Sequence, residues 1–222
     1  MNYHIECNEK FLHVRFERSV RMLSSSILNG GFQMANHFLN TNVDANFNDK
    51  RTEFEKPELT LGKMAKANEW SGVCVGMMTA AFMKSFCCVR VEEQGIWIDA
   101  LVTAGVSNAR RAGDIADYKF MNEECRKLGT INILILTNAC LSEAAMVECV
   151  MMVAEAKAAC MQDMKVMSRV SGQLATGTGT DSTAIACGNG PDVVYCGKHV
   201  LFGELLAKAV IAGISQSLQD DK

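Results

Sequence analysis

No basic cluster longer than Arg110-Arg111 occurs in these 222 residues, and the net charge is -3. Such a chain offers no broad attraction for nucleic acid or an anionic membrane, so neither is expected as a partner. There is no Cys-x-x-Cys pair despite ten cysteines. Cys87 and Cys88 are adjacent in a strand-like run, where their side chains point to opposite faces and cannot readily share one metal. No HExxH motif occurs, which disfavours a metal-dependent amidase. No apolar run reaches the roughly 18 to 20 residues needed to cross a bilayer, since Glu148 and Glu155 interrupt the longest candidate. The opening residues, Met1 to Glu6, carry no basic stretch followed by an apolar one. The expected location is therefore the cytoplasm, with thiols reduced and serving beside the 14 methionines as core residues.

What is present describes an ordinary globular core: hydrophobic residues make up 49% of the chain and charged ones 21%, enough for one domain over residues 1–222. Phe11-Leu12-His13-Val14-Arg15-Phe16 alternates as a strand does, and Asn8-Glu9 turns a hairpin from residues 2–7. A strand is expected at 34–39, an exposed and mobile connection over 40–57, and helices over 60–69 and 77–83. Two strands, 86–91 and 96–103, flank Glu92-Glu93-Gln94-Gly95 as an antiparallel hairpin. Residues 131–136 form a central strand, and Ser142 caps a long helix over about 143–162 that is apolar almost all round and is expected to be buried. With a last helix over 201–217, the expected fold is a single mixed α/β domain around a central sheet.

The most informative stretch is Ala175-Thr176-Gly177-Thr178-Gly179-Thr180-Asp181, whose glycines, hydroxyls and carboxylate make a loop that can approach a ligand closely. A strand-like run follows it, so the dinucleotide fingerprint fails, and Gly197-Lys198-His199 lacks the spacing of a phosphate loop. His199 instead stands at a helix start, where unpaired N–H groups favour a developing negative charge. Two strand exits, 102–110 with Ser107 and Asn108, and 136–139 with Asn138, have the small and polar residues that line pockets or make ordinary turns. Glu155 and Lys157 lie about 200° apart around the long helix and cannot both point at one spot.

These stretches, together with Leu23-Ser24-Ser25, Gly30-Gly31, Asn40 with Val43, residues 76–81 and residues 132–157, resemble the adenosylcobinamide amidohydrolase family in the same order along most of the chain. The ATGTGTD string followed by GKH is the specific part. One departure is Ala154, where the family tends to have Thr before Glu-Ala-Lys, which puts a hydroxyl contact there in doubt. The resemblance implies hydrolysis of the amide joining aminopropanol to the corrin ring of adenosylcobinamide, giving adenosylcobyric acid for cobalamin salvage. It implies no cofactor or protein metal, since the cobalt belongs to the substrate; a homo-oligomer is compatible with it.

Amide hydrolysis needs an activated nucleophile, oxyanion stabilisation and a proton for the leaving amine. On this reading His199 is general base and then acid, and Asp181 is its orienting carboxylate or an alternative base. Glu155 and Lys157 complete the catalytic set from the helix, while Thr176, Gly177, Thr178, Gly179, Thr180, Lys198, Ser107, Asn108 and Asn138 bind substrate. Direct attack by water and a covalent Thr180, Thr178 or Ser107 both stay open. The alternative is a corrinoid-binding module that does no chemistry.

Overall fold

A computed structural model describes residues 1–43, 55–117 and 129–220. The first hairpin forms as its alternation requires: β1 (Tyr3–Cys7) pairs antiparallel with β2 (Phe11–Ser24), and the Asn8 side chain accepts from the Lys10 and Phe11 amides at 2.9 and 3.0 Å. β2 runs eight residues beyond its expected end because a bulge between Arg15 and Val20 lets one strand bend and serve two pairings. Its first half carries β1 and its second half carries a strand from the far end of the chain. β3 (Gly31–Asn42) then returns beside it. Asn40, expected in an exposed connection, is buried within β3, and residues 44–54 of that connection lie outside the described residues.

Helix α1 (Pro57–Ala67) begins three residues early, with proline at its first turn, where no amide hydrogen is needed. The helix expected over 77–83 is instead strand β4 (Cys74–Thr79), parallel to β3, followed by a 3-10 turn at Met83–Ser85. A strand buried on both faces reads as a continuous apolar run, so its period cannot be told from that of a short helix. The hairpin of β5 (Cys87–Glu93) and β6 (Ile96–Ala104) closes through Gln94 and Gly95, both at positive φ, as a two-residue turn matching strand twist demands. Cys87 is buried and Cys88 exposed, on opposite faces as expected.

The rest is β7 (Ala109–Arg110), β8 (Ile131–Thr137), β9 (Cys140–Leu141), α2 (Glu143–Asp163), β10 (Gly177–Thr178), β11 (Ser182–Cys187), β12 (Asp192–Val193) and α3 (Leu201–Asp220). Ser142 caps α2 by accepting from the Ala145 amide at 3.1 Å. The main sheet runs β4-β3-β2-β11-β8-β6-β5, so the fold is mixed α/β around a central sheet, as expected. Every residue of β8 is buried: Ile133 and Ile135 face the helices α2 and α3, while Leu134 and Leu136 face Leu12, Val14, Phe38 and Met77 from the other half of the bent sheet. α3 is long and apolar enough to cross a membrane by length and composition, contrary to expectation, but 56% of that window is buried within the protein.

One expectation about α2 is corrected. Its inner face packs as foreseen, but Ala144, Val147, Met151 and Ala154 are exposed, because only one side of the helix meets α3 and the sheet.

Candidate active site

The C-terminal end of β6 and the N-terminal ends of β8 and β11 meet at one edge of the sheet, since Ala104 pairs with Ile131 and Ser182 with Asn132. The 175–181 loop crosses that edge, held where β10 pairs with β7. Asp181 is its hub. One carboxylate oxygen accepts from the Ile131 amide at 3.0 Å and the Thr178 hydroxyl; the other accepts from the Thr178 amide at 3.0 Å and from Lys157 Nζ on α2. Thr180 and Thr130 pair through their hydroxyls, and Thr180 Oγ1 donates to the Gly129 carbonyl at 3.1 Å. Thr176 accepts from the Ala112 amide at 2.9 Å, which pins the loop rather than opening it to a ligand.

Neither loop glycine has a positive φ. Gly177 is required by close approach: a Cβ there would sit 2.2 Å from Asp181 Oδ2 and 3.1 Å from Lys157 Nζ. At Gly179 the nearest atoms would be Asn108 Nδ2 at 3.5 Å and Arg110 at 3.8 Å, so a side chain fits.

Ser107 and Asn108 belong to this site. Gly129, at φ +114°, lies so close that its Cβ would meet Asn108 Oδ1 at 2.3 Å and Ser107 Oγ at 2.8 Å. Asn108 is buried, yet its Oδ1 has no hydrogen-bond partner among the described residues. Asn138 does not belong, which corrects the expectation. It follows the C-terminal end of β8, about 20 Å along the strand from Ile131. There its side chain accepts from the Trp97 amide at 3.0 Å and donates to the Gly95 carbonyl at 2.8 Å, tying down the β5–β6 turn.

Lys198 and His199 lie on the other side of α2. Glu148 accepts from the Cys196 amide at 2.7 Å, fixing the approach to α3, and Lys198 pairs with Glu155 in an exposed ion pair. The Cys196 thiol, and then burial, hold the Cys149 thiol well above its ordinary value. His199 is exposed and makes no hydrogen bond to a described residue. The expected pairing of His199 with Asp181 is not formed, because all four acceptor positions of the carboxylate are filled by other donors. Glu155 and Lys157 point to different places, as their angular separation requires: one to Lys198, the other to Asp181.

Sequence reasoning missed the polar layer beneath the loop. Asn132 donates to Asn40 Oδ1 and to the Met78 carbonyl, both at 2.9 Å, and Asn40 donates to Thr103 at 2.9 Å. The signal available was asparagine inside strands otherwise apolar. It also passed over His13 and His37, whose buried rings are 3.0 Å apart at Nε2 and Nδ1, with Trp70 stacked on His13 at 3.7 Å. Burial, then the neighbouring His37, pushes His13 down to about 4. Among the described residues no group of three or more metal-ligating side chains is gathered.

The family model described as adenosylcobinamide amidohydrolase matches residues 1–222. The adenosylcobinamide amidohydrolase of Methanosarcina mazei is 28% identical over 229 residues, covering 99% of this chain and 98% of that protein. The uncharacterized protein MJ1613 of Methanocaldococcus jannaschii is 30% identical over 226 residues, covering 94% of this chain and 86% of that one. A solved structure, the PH0078 protein of Pyrococcus horikoshii OT3, aligns with a TM-score of 0.44 at 13% identity, over 98% of this chain and 83% of that chain. The whole-chain match sets the protein among hydrolases that act on a corrinoid amide. It belongs to the adenosylcobinamide amidohydrolase family.

Proposed function

We propose that this chain cleaves the aminopropanol amide of adenosylcobinamide, giving adenosylcobyric acid that re-enters cobalamin synthesis as a salvage step. The family match over residues 1–222 carries the reading. The site supports it, because the ATGTGTD loop is held rigidly at a sheet edge with a lysine beneath it, while the GKH segment presents a solvent-accessible imidazole.

In the reaction, water adds to the amide carbon, the C–N bond breaks, and the leaving amine takes a proton. His199 accepts the proton of the attacking water and returns it to the amine. The amides at the start of α3, beside His199, face the developing oxyanion; Lys157, held by Asp181 on the other flank of α2, meets a second polar group of the same substrate rather than the scissile carbonyl.

One observation favours a corrinoid-binding module without catalysis: His199 lacks an orienting carboxylate among the described residues. Incubation with adenosylcobinamide and chromatography for adenosylcobyric acid decides between them. Product forming only with the protein supports the hydrolase; binding without product leaves the module.

A further inference from the structure

We propose that the exposed face of α2 is the seat of the corrin macrocycle itself, an inference that rests on the corrinoid reading above. Taking Val147 as the reference direction, Ala144, Val147, Met151 and Ala154 fall within an arc of about 80° at 100° per residue. All four are exposed, Val147 at 48% and Met151 at 59%. The solvent face of a helix in a globular protein is ordinarily charged or polar; beyond Glu143 in the first turn, this one carries no charge along that stripe from Ala144 to Ala154.

The stripe runs directly into the candidate site. Glu155 and Lys157 stand about 80° to either side of Val147, so they bracket the face at its C-terminal end. On one flank Lys157 holds Asp181; on the other Glu155 holds Lys198, next to His199. The flank with Asp181 continues as a groove of about 250 Å³ between Val147, Val150 and Met151 on α2 and Leu23, Ser24 and Ser25 at the end of β2. Ser25 Oγ lies 3.0 Å from Ser182 Oγ, one residue beyond Asp181, so the groove opens onto the loop.

The two signature loops are thus separated by the width of a helix, about 10 Å with its side chains. A small linear amide reaches one of them. A ligand that touches both lies across Val147 and Met151, and must be broad, with apolar surface such as ring methyl groups between the amides on its rim. A corrin ring has that shape and chemistry, and methionine adapts to an irregular apolar surface. This continuity with both loops favours the macrocycle over a second copy of the chain.

The test compares Met151→Asp and Val147→Asp with Leu59→Asp, a substitution at an equally exposed position on α1. Because the side chains project into solvent, melting temperatures stay near that of the unaltered protein. Hydrolysis of adenosylcobinamide is followed for KM and kcat, and binding of adenosylcobyric acid by absorbance titration for Kd. The expected result is a tenfold or greater rise in both KM and Kd for the two α2 variants, with kcat within about twofold and Leu59→Asp unaffected. Unchanged KM and Kd, or a fall in kcat alone, overturns the proposal. A change of oligomeric state in sedimentation with affinity unchanged also overturns it and assigns the face to a second copy. If the unaltered protein cleaves adenosylcobinamide while the α2 variants match it, only the platform is wrong; if it neither binds nor cleaves, the functional reading falls as well.

Discussion

Asp181 has every acceptor position filled, by two backbone amides, a hydroxyl and an ammonium, while His199 on the far flank of the same helix stands exposed with no hydrogen-bond partner among the described residues. Both belong to the stretches on which the resemblance to the family was first read, yet their surroundings differ in kind. A carboxylate so fully engaged fixes the geometry of its neighbours, because removing any donor leaves a partly buried charge unsatisfied. An imidazole in solvent has freedom to meet a ligand and little influence on the fold. The difference teaches that motif membership alone does not separate residues that build a site from residues that act in it.

The largest expected effect comes from Asp181→Asn. The amide nitrogen would point a donor at the Thr178 amide and at Lys157, and the lysine would lose its counter-charge, at a cost of about 3–5 kcal/mol in unfolding free energy. Denaturant melts measure this, and a loss below about 1 kcal/mol would break the contrast by making Asp181 dispensable to the fold. His199→Ala should do the reverse: turnover falls roughly a hundredfold, about 2.7 kcal/mol in activation energy, with stability unchanged. Unchanged turnover in steady-state kinetics would remove His199 from the chemistry.

The glycines sharpen the same comparison within the loop. Gly177→Ala drives a methyl toward the Asp181 carboxylate and should lower stability by about 1–3 kcal/mol. Gly179→Ala meets only ordinary contacts and should stay within about 0.5 kcal/mol. Loss of activity in Gly179→Val with its melting temperature retained would show that the backbone there meets substrate. Smallest is Glu155→Gln: its pair with Lys198 is exposed, so stability should move by about 0.3 kcal/mol or less, and a shift above about 1 kcal/mol would mean that the His199 flank is also a structural hub.

Much of the architecture was legible because it rests on local rules. The Asn8 turn, the Gln94-Gly95 hairpin and the Ser142 cap each need particular residues at particular places, and those residues are there. The β4 strand was not legible, because Gly76-Met77-Met78-Thr79 pairs with β3 through tertiary burial and shows no alternation. At the candidate site, the structure brings together the loop, Lys157, Ser107 and Asn108, which stand out in the sequence as small and polar residues at strand exits or as a charge on an apolar helix. The filling of Asp181 by Ile131 and Lys157, and the displacement of Asn138 to the opposite end of the sheet, depend on register between distant strands. No local spacing encodes that.

The bend in β2 has a consequence for how the protein is made. Its second half waits for β11, which lies between β2 and β8 in the sheet although it is the last long strand to leave the ribosome. Until then the N-terminal hairpin layer and the β5–β6–β8 layer have no shared strand, and the amides that grip Asp181 have nothing to hold. The sheet edge that carries Asp181 is therefore complete only once a strand from late in the chain is in place. A topology joined by contacts so distant in sequence folds slowly, and a nascent chain halted before Ser182 carries most of its apolar core yet neither β11 nor α3.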